Sequence, residues 1–309
     1  MKRLFLLTLA SALLPLAFYG QPNGFVGRWG FDVPTRNGIG ANWLGVSEKG
    51  GNLEIWFQPT GGHVFRIEPY KLNGSHLTLT VSENGANKPP IVWELDAKDG
   101  KLVGTQKQGE QTFPLTGKPE PALNRPEPAS WGAPQPLFDG NGLNGWEPIG
   151  DVSESHWSVQ GGDLVNLQRG ANLKTTQKFN DFKLHFEVNC PENGNSGFFL
   201  RGRYELQLEY EPPAKNPPNR AMGSIYGRIA PSVQLPKKPG QWESFDVTLV
   251  GRTVTVVRDG ATTIDHKEIE GITGGALDAD EGEPGPFYIQ GDHTGGLKFR
   301  NITVALPAK

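Results

Sequence analysis

The chain has 309 residues, and its 36% hydrophobic and 20% charged content is ordinary for a folded protein with room for two domains. Its formal net charge of -3 gives no basic surface, which argues against nucleic-acid binding. The single cysteine, Cys190, excludes an intrachain disulfide. The 41 glycines and 26 prolines favour short strands joined by tight turns over long helices, so we expect an all-β chain.

Residues 1–20 have the features of an export signal. Lys2 and Arg3 precede an apolar run over residues 4–18, which ends at the turn-forming residues 20–24. The run is too short to span a bilayer comfortably, so a membrane anchor is the second choice. Removal of Lys2 and Arg3, with no acid, changes the formal charge from -3 to -5. We expect a signal peptide and a periplasmic or secreted protein that is not inserted in the membrane.

Residues 21–116 have the pattern of a small antiparallel barrel. Strand candidates occur at residues 52–58, 63–71, 75–81, 91–96, 101–106 and 112–115. Strong turn dipeptides, such as Asn73-Gly74 and Asp99-Gly100, separate them, as in up-and-down hairpins. The opening Gly27-x-Trp29 resembles the start of lipocalin-like barrels. We predict a lipocalin-like β-barrel that binds a ligand or supports the rest of the chain.

A proline-rich segment, residues 117–136, follows this part. Six prolines without apolar periodicity predict a semi-rigid linker. Beyond it, residues 137–309 contain strand candidates with clean alternation: Phe182, Leu184 and Phe186 face one way and polar residues the other. Two stacked antiparallel sheets with one buried interface produce this pattern, so we predict a jelly-roll β-sandwich.

The segment YELQLEY, residues 204–210, contains a row of candidate catalytic side chains. Strict alternation places Glu205, Gln207 and Glu209 on one face of a strand and apolar side chains on the other. The preceding segment NSGFFLR ends in Arg201, which can lie on a neighbouring strand. Together these residues offer an acid, a base and a cation on one sheet. The alternative is that the polar row is the solvated face of a sheet, which is the usual fate of such alternation.

Blocks of the second part, in order, resemble the 3-keto-disaccharide hydrolase domain. They are LFDGNGLNGW at 137–146, DFKLHFEV at 181–188, NSGFFLR at 195–201, YELQLEY at 204–210, SIYGRIAPSV at 224–233, GQWESFDVTLVGRTVTVVRDG at 240–260 and GPFYIQGDHTGGLKFRNITV at 285–304. The resemblance implies a concanavalin-like jelly roll that hydrolyses glycosides oxidised to a ketone at C3. It also implies a carbohydrate substrate and an upstream sugar 3-dehydrogenase that supplies it. One departure is that many members have aspartate where this chain has Glu209.

Cleavage of such substrates can proceed by elimination. A ketone at C3 acidifies the proton on C2, so a base removes it, the aglycone leaves C1, and water adds back. We expect Glu205 and Glu209 to be the base and the acid, with Gln207 between them as a hydrogen-bond partner. Arg201 is the candidate for stabilising the enolate oxygen, and the imidazole of His293 could move the proton.

Further residues are candidates for binding the sugar. Asn195, Tyr226, Arg228 and Gln290 offer stacking or hydrogen bonds, although each could equally be packing or surface.

Two other functions compete with this interpretation. Glu-x-Gln-x-Glu resembles the Glu-x-Asp-x-Glu arrangement of laminarinase-like retaining glycosidases, in which the outer glutamates are nucleophile and acid. A non-catalytic carbohydrate-binding module is the other alternative. No cofactor is predicted. An acidic loop with Asp278, Asp280, Glu281 and Glu283 could hold calcium, but it lacks the EF-hand spacing, so a solvated turn is expected.

Overall fold

This structure is a computed structural model, and it describes residues 24–35, 38–81, 89–210, 217–293 and 295–308. The expected export signal, residues 1–20, lies outside the described residues. The described part of the chain is all-β, as predicted, and its helical content is two short 3-10 helices, Val152–Glu154 and Pro218–Arg220. No helix in this part is long and apolar enough to cross a membrane.

Nine antiparallel strands form one sheet in the first part of the chain. They are β1 Gly27–Thr35, β2 Gly38–Lys49, β3 Asn52–Gln58, β4 Phe65–Arg66, β5 Tyr70–Asn73, β6 His76–Val81, β7 Ile91–Lys98, β8 Lys101–Gln108 and β9 Gln111–Pro119. The order is β4-β3-β2-β1-β9-β8-β7-β6-β5, and only residues 67–69 join the two edge strands. The edges therefore lie close together, and the sheet curls into the predicted barrel shape.

The interior of this curled sheet is filled by aromatic and branched side chains. Trp93 is fully buried, and the rings of Phe31 and Phe57 meet it edge-on at centroid distances of 4.7 and 5.0 Å. Its indole Nε1 donates to Gln106 Oε1 at 2.9 Å, so the polar atom of this large side chain is satisfied inside the core. The alternation that predicted the strands thus produces a core that belongs to the first part alone.

The predicted strand over residues 63–71 differs from the structure. Two short strands, β4 and β5, take its place. Pro69 lies between them and has no N–H to donate to a ladder, so the chain leaves the sheet there.

The second part consists of two stacked sheets. The strands are β10 Gln135–Pro136, β11 Trp146–Ile149, β12 Trp157–Gln160, β13 Asp163–Asn166, β14 Asn172–Phe179, β15 Phe182–Asn189, β16 Asn195–Leu200, β17 Tyr204–Glu209, β18 Trp242–Val250, β19 Thr253–Arg258, β20 Ala261–Glu268, β21 Gly285–Ile289 and β22 Leu297–Ala305. One sheet has the order β12-β13-β22-β15-β18-β19-β20, with β10 also paired to β22. The other has the order β11-β14-β21-β16-β17. This arrangement is the predicted jelly-roll sandwich.

A single core joins the two sheets. The ring of Phe186 on β15 stacks on Phe245 of its own sheet at 5.2 Å and on Phe198 of the facing sheet at 4.5 Å. On β17, Leu206 and Leu208 point into the same core. Because side chains alternate along a strand, Glu205, Gln207 and Glu209 must point away from it, to the other face of the five-stranded sheet.

The curled first sheet packs directly against the second part. Trp43 on β2 lies 2% exposed in a cluster with Ile272, Ala276 and Ala279. Gly271 allows this approach, because a Cβ atom there would lie 2.3 Å from the Trp43 ring. The division into domains at residues 117–136 stays a prediction, since the two parts share this contact.

Candidate functional site

The polar row of β17 is buried. Glu205 is 4% exposed, Gln207 2% and Glu209 7%, so the row is not a solvated face. The register with β16 places Phe199 opposite Glu205 and Asn195 opposite Glu209. The row is therefore covered by protein.

Gly197 brings two polar side chains together at the centre of this face. It pairs with Gln207 on β17, and its carbonyl accepts the backbone N–H of Gln290 at 3.0 Å. A Cβ atom at position 197 would lie 2.5 Å from Glu205 Oε1 and 3.0 Å from Gln290 Oε1. Glycine is thus required here, because any side chain would displace the carboxyl group or the amide.

Two amide oxygens on this face have no hydrogen-bond partner within the described residues. They are Oε1 of Gln207 and Oε1 of Gln290, both on side chains at least nine-tenths buried. The Gln207 amide nitrogen donates to Glu209 Oε2 at 2.5 Å, which fixes the direction of the free oxygen. Buried acceptors without partners are costly, so a ligand with hydroxyl donors would stabilise this arrangement.

The electrostatics of the face are dominated by acids. Burial, with the charges of Asp292 and Glu209, raises the pKa of Glu205 well above its usual range. Burial alone would raise the pKa of Asp292 as well. The hydrogen bond with His293 and the charges of His293 and Arg169 outweigh that effect, so the pKa of Asp292 is lowered. The surroundings thus favour the protonated form of Glu205 and the ionised form of Asp292.

An aromatic pair closes one end of the face. The rings of Phe199 and Tyr288 stack at 3.9 Å, and the Tyr288 hydroxyl donates to the carbonyl of Gly275 at 2.5 Å. Burial, with the charges of Glu205 and Asp292, raises the pKa of Tyr288 well above its usual range, so the phenol stays neutral.

Two backbone segments border the row. Residues 223–226 pair with the outer edge of β17: Gln207 N–H donates to Ser224 O, and Tyr226 N–H donates to Glu205 O, both at 3.0 Å. Farther along the same edge, Glu205 N–H donates to Thr273 Oγ1 at 2.9 Å, and that hydroxyl donates to Arg203 O at 3.2 Å. We call residues 271–276, which include Thr273 and Gly275, the covering segment.

Arg201 lies apart from the polar row. Its guanidinium is fully buried, donates to the Tyr204 hydroxyl at 3.1 Å and to Gly251 O at 3.0 Å, and packs over the Tyr204 ring. Tyr204 belongs to the sandwich core and donates to Glu281. The structure therefore does not bring Arg201 together with Glu205.

The predicted sugar-binding residues are divided between two places. Asn195 and Gln290 lie on the face of the polar row, and Tyr226 is in the segment along its edge. Arg228 instead stacks over the Trp43 ring at 4.4 Å and donates to Ile272 O at 2.7 Å, beneath the covering segment. Burial lowers the pKa of Arg228 to about 10.

His293 is near the row through its neighbour. Its Nδ1 lies 2.7 Å from Asp292 Oδ1, and its side chain is 43% exposed, so it can reach a ligand from the solvent side. Asp292 is not among the catalytic or sugar-binding residues predicted from the sequence. Alternation in the block GPFYIQGDHT, which puts Tyr288, Gln290 and Asp292 in phase, was the signal that could have identified it.

Three carboxylates of the acidic loop are paired with cations. Asp278 accepts from Arg203 at 2.6 Å, Glu281 accepts from Arg252 at 2.9 Å, and Asp280 lies 3.3 Å from Lys118 Nζ. Among the residues that the structure describes, no three His, Cys, Asp or Glu side chains are grouped as metal ligands.

Comparison with known proteins identifies the class. Residues 133–305 match the family of the 3-keto-alpha-glucoside-1,2-lyase-like domain, which is more than half of the chain. The chain therefore belongs to this family, whose members act on carbohydrates. No curated protein matches the chain.

Solved structures with similar folds include carbohydrate-related proteins. A candidate glycosyl hydrolase from Parabacteroides distasonis has 33% identity, with 54% of this chain and 81% of that chain covered, at a TM-score of 0.47. A second candidate glycosyl hydrolase from the same organism has 20% identity, coverages of 56% and 98%, and a TM-score of 0.45. A carbohydrate binding module from Bacillus subtilis has 11% identity, coverages of 55% and 99%, and a TM-score of 0.35.

Proposed function

We propose that this protein cleaves glycosides that carry a ketone at C3, by elimination across C1 and C2 followed by addition of water. The observation that carries the proposal is the buried Glu205, whose pKa is raised by that burial, beside two amide oxygens without partners, in a chain of the 3-keto-alpha-glucoside-1,2-lyase-like family. The substrate would come from a reaction that oxidises the C3 hydroxyl of a glycoside, such as that of a sugar 3-dehydrogenase.

The reaction needs one proton removed and one donated. A base takes the proton from C2, and the electron pair moves into the ketone as an enolate. The enolate then expels the leaving group from C1, whose oxygen takes up a proton, and a C1–C2 double bond conjugated to the ketone remains. Water adds to C1 and a proton returns to C2, so the sum is hydrolysis.

Glu205 suits the role of the acid. Its raised pKa favours the protonated form of the carboxyl group, which is the form required to protonate a leaving sugar oxygen. The sequence pattern left Glu205 and Glu209 as base and acid without an order. Glu209 accepts from Gln207, and in this assignment it holds the amide oxygen of Gln207 toward the sugar.

The pair of Asp292 and His293 suits the role of the base. When His293 Nδ1 donates to the ionised Asp292, its Nε2 is left with a lone pair that can accept a proton. This arrangement of a carboxylate that orients an imidazole is the one that hydrolytic enzymes use for proton abstraction. Arg201 has no part in this assignment, because its guanidinium lies beside Tyr204 and Gly251, away from the polar row.

The experiment compares two leaving groups, glucose and 4-nitrophenol, each on a 3-keto-glucoside and on its unoxidised parent. Wild-type protein is expected to cleave 3-keto-trehalose and 4-nitrophenyl 3-keto-glucoside, but neither unoxidised parent. Glu205→Gln is expected to lose at least about 100-fold in kcat on 3-keto-trehalose, because loss of a general acid costs that much when the leaving group must be protonated. The loss on the nitrophenyl substrate should be far smaller, since nitrophenolate leaves without a proton.

The exposed Glu192, substituted to Gln, serves as the control and should behave as wild type. Equal losses on the two leaving groups would remove Glu205 from the acid role. Cleavage of the unoxidised glucosides would favour a retaining glycosidase, and binding without cleavage of any substrate would favour a carbohydrate-binding module.

A further inference from the structure

A cavity of about 440 Å³ lies at the edge of the five-stranded sheet. It is lined by Ile149, Asp151, Glu154, Arg169, Gly170 and Ala171. This volume is within the range of small-molecule sites. Of the lining residues, Arg169 is the one already linked to the site, because its charge helps to lower the pKa of Asp292.

The cavity adjoins the face of the polar row through the backbone. Gly170 N–H in the cavity wall donates to Gly291 O at 2.7 Å, and Gly291 N–H donates to Asn172 Oδ1 at 2.8 Å. Gly291 is the one residue between Gln290 and Asp292, whose Cα atoms are roughly 7 Å apart in an extended chain. The cavity wall is therefore hydrogen-bonded to the segment that carries two of the proposed site residues, and the charge of Arg169 in that wall acts on Asp292.

Glycines hold the two walls together at this point. A Cβ atom at position 291 would lie 2.2 Å from the Ala171 carbonyl oxygen, and one at position 170 would lie 2.2 Å from the Glu154 carbonyl oxygen. The cavity wall is thus fixed against residues 290–292 rather than attached by a loose loop, so a molecule that bridges the two places would meet a rigid surface.

The lining suits a neutral molecule with many hydroxyl groups. Arg169 supplies N–H donors, and the carboxylates of Asp151 and Glu154 supply acceptors, so a ligand hydroxyl can accept from the first and donate to the others. One positive and two negative charges disfavour an anionic ligand. Ile149 in the wall offers apolar contact to a sugar C–H face.

We propose that this cavity binds the leaving-group sugar of a 3-keto-disaccharide while the oxidised ring occupies the polar row. This inference rests on the proposed function. It makes Arg169 a residue that determines specificity for the leaving group, with no contact to the reacting atoms.

The test uses Arg169→Gln in the full chain at pH 7.5, where the lowered pKa of Asp292 keeps that carboxylate ionised. The KM for 3-keto-trehalose is expected to rise about tenfold, equivalent to about 1.4 kcal/mol for one charge-assisted hydrogen bond. The KM for methyl 3-keto-glucoside, which has no leaving-group sugar, should stay within twofold. Arg66→Gln, at an exposed arginine of β4, is the matched control and should change neither value.

Equal rises in KM on the two substrates, or no rise on either, would overturn the proposal. A second measurement separates it from the proposed function: titration of D-glucose, the leaving-group sugar itself, by NMR line broadening. Wild type should bind it and Arg169→Gln should bind it at least about fivefold more weakly, whether or not the protein cleaves 3-keto sugars. Identical affinities would contradict the cavity assignment, whereas failure to cleave any 3-keto-glycoside would contradict only the function.

Discussion

Glu205 is a carboxyl group whose surroundings favour its neutral form. It is buried, it has acidic neighbours, and its backbone N–H and C=O are both hydrogen-bonded, to Thr273 and Tyr226. Such a site costs folding free energy whenever the pH favours ionisation in the unfolded chain. Glu205 is therefore expected to lower the free energy of unfolding at neutral pH, where the proposed acid role would be needed.

Replacing Glu205 with glutamine, which does not titrate, should reveal this cost in the free energy of unfolding. The folded-state pKa of Glu205 lies above its unfolded value of about 4.3, so below pH 4 the protonated group costs nothing. As the pH rises from there toward the folded pKa, stability falls by at most about 1.4 kcal/mol per pH unit. The advantage of Glu205→Gln over wild type in free energy of unfolding should thus grow between pH 5 and pH 8, as measured by urea denaturation. An advantage that is constant over this range, or as large in the exposed Glu192→Gln, would show that Glu205 ionises normally.

Alternation alone predicted which side chains share a face, and it succeeded as far as the strands continue. Glu205, Gln207 and Glu209 are within β17, so period two holds for them. Arg201 has the same phase as Asn195 and Gly197, but it adopts a left-handed conformation (φ 52°) just after β16 ends. A residue in that conformation turns the chain, and its side chain is directed away from the face that the phase predicts. No sequence signal marked that change.

At the scale of elements, the covering segment 271–276 connects the site to the first sheet. Thr273 accepts from the Glu205 backbone, Gly275 accepts from Tyr288, and a Cβ atom at Gly274 would lie 2.0 Å from the Gly62 carbonyl oxygen. The turn after β3 thus packs closely against the covering segment, which borders Glu205, the proposed acid. The segment has no regular secondary structure, so its position depends on these specific contacts.

Loss of the Thr273 hydroxyl should lower both the stability and the activity of the protein. Thr273→Val keeps the shape but leaves the buried Glu205 N–H without an acceptor, which costs about 1–3 kcal/mol. We expect a lower midpoint in thermal unfolding and a fall in kcat for 3-keto-trehalose, measured where the variant remains folded. Thr273→Ser retains the hydroxyl and should preserve most of the activity. If Ser and Val lower kcat equally, the hydroxyl has no part in positioning Glu205.

At the scale of the whole molecule, the segment after β9 is anchored between the two parts. Glu120 lies against Glu281, whose backbone N–H donates to it at 3.3 Å, while Lys118 lies between Asp32 and Asp280. Burial, and then the Glu281 carboxylate, raise the pKa of Glu120 to about 8, so it is protonated at neutral pH. The proline-rich segment predicted as a linker therefore begins as a packed element.

The fold class was accessible from sequence because local signals agree with it. Glycine turns such as Asn73-Gly74 and the clean alternation of β15 specify hairpins and a half-buried sheet without reference to distant residues. The contact between the first sheet and the second part could not be predicted from the sequence, since it depends on pairs far apart in the chain, such as Trp43 with Arg228. The same holds for Asp292, whose effect on Glu205 arises only when β21 and β17 belong to one sheet.

The most direct test of the central claim is the hydrogen at C2 of the released sugar. Wild-type protein would cleave 3-keto-trehalose in D2O, and the product would be analysed by mass spectrometry at early conversion, with the product alone in D2O as the control for spontaneous exchange. Elimination by C2 deprotonation predicts deuterium at C2 of each released 3-keto-glucose molecule, well above the control. Release of the sugar with its original C2 hydrogen retained would contradict the elimination route.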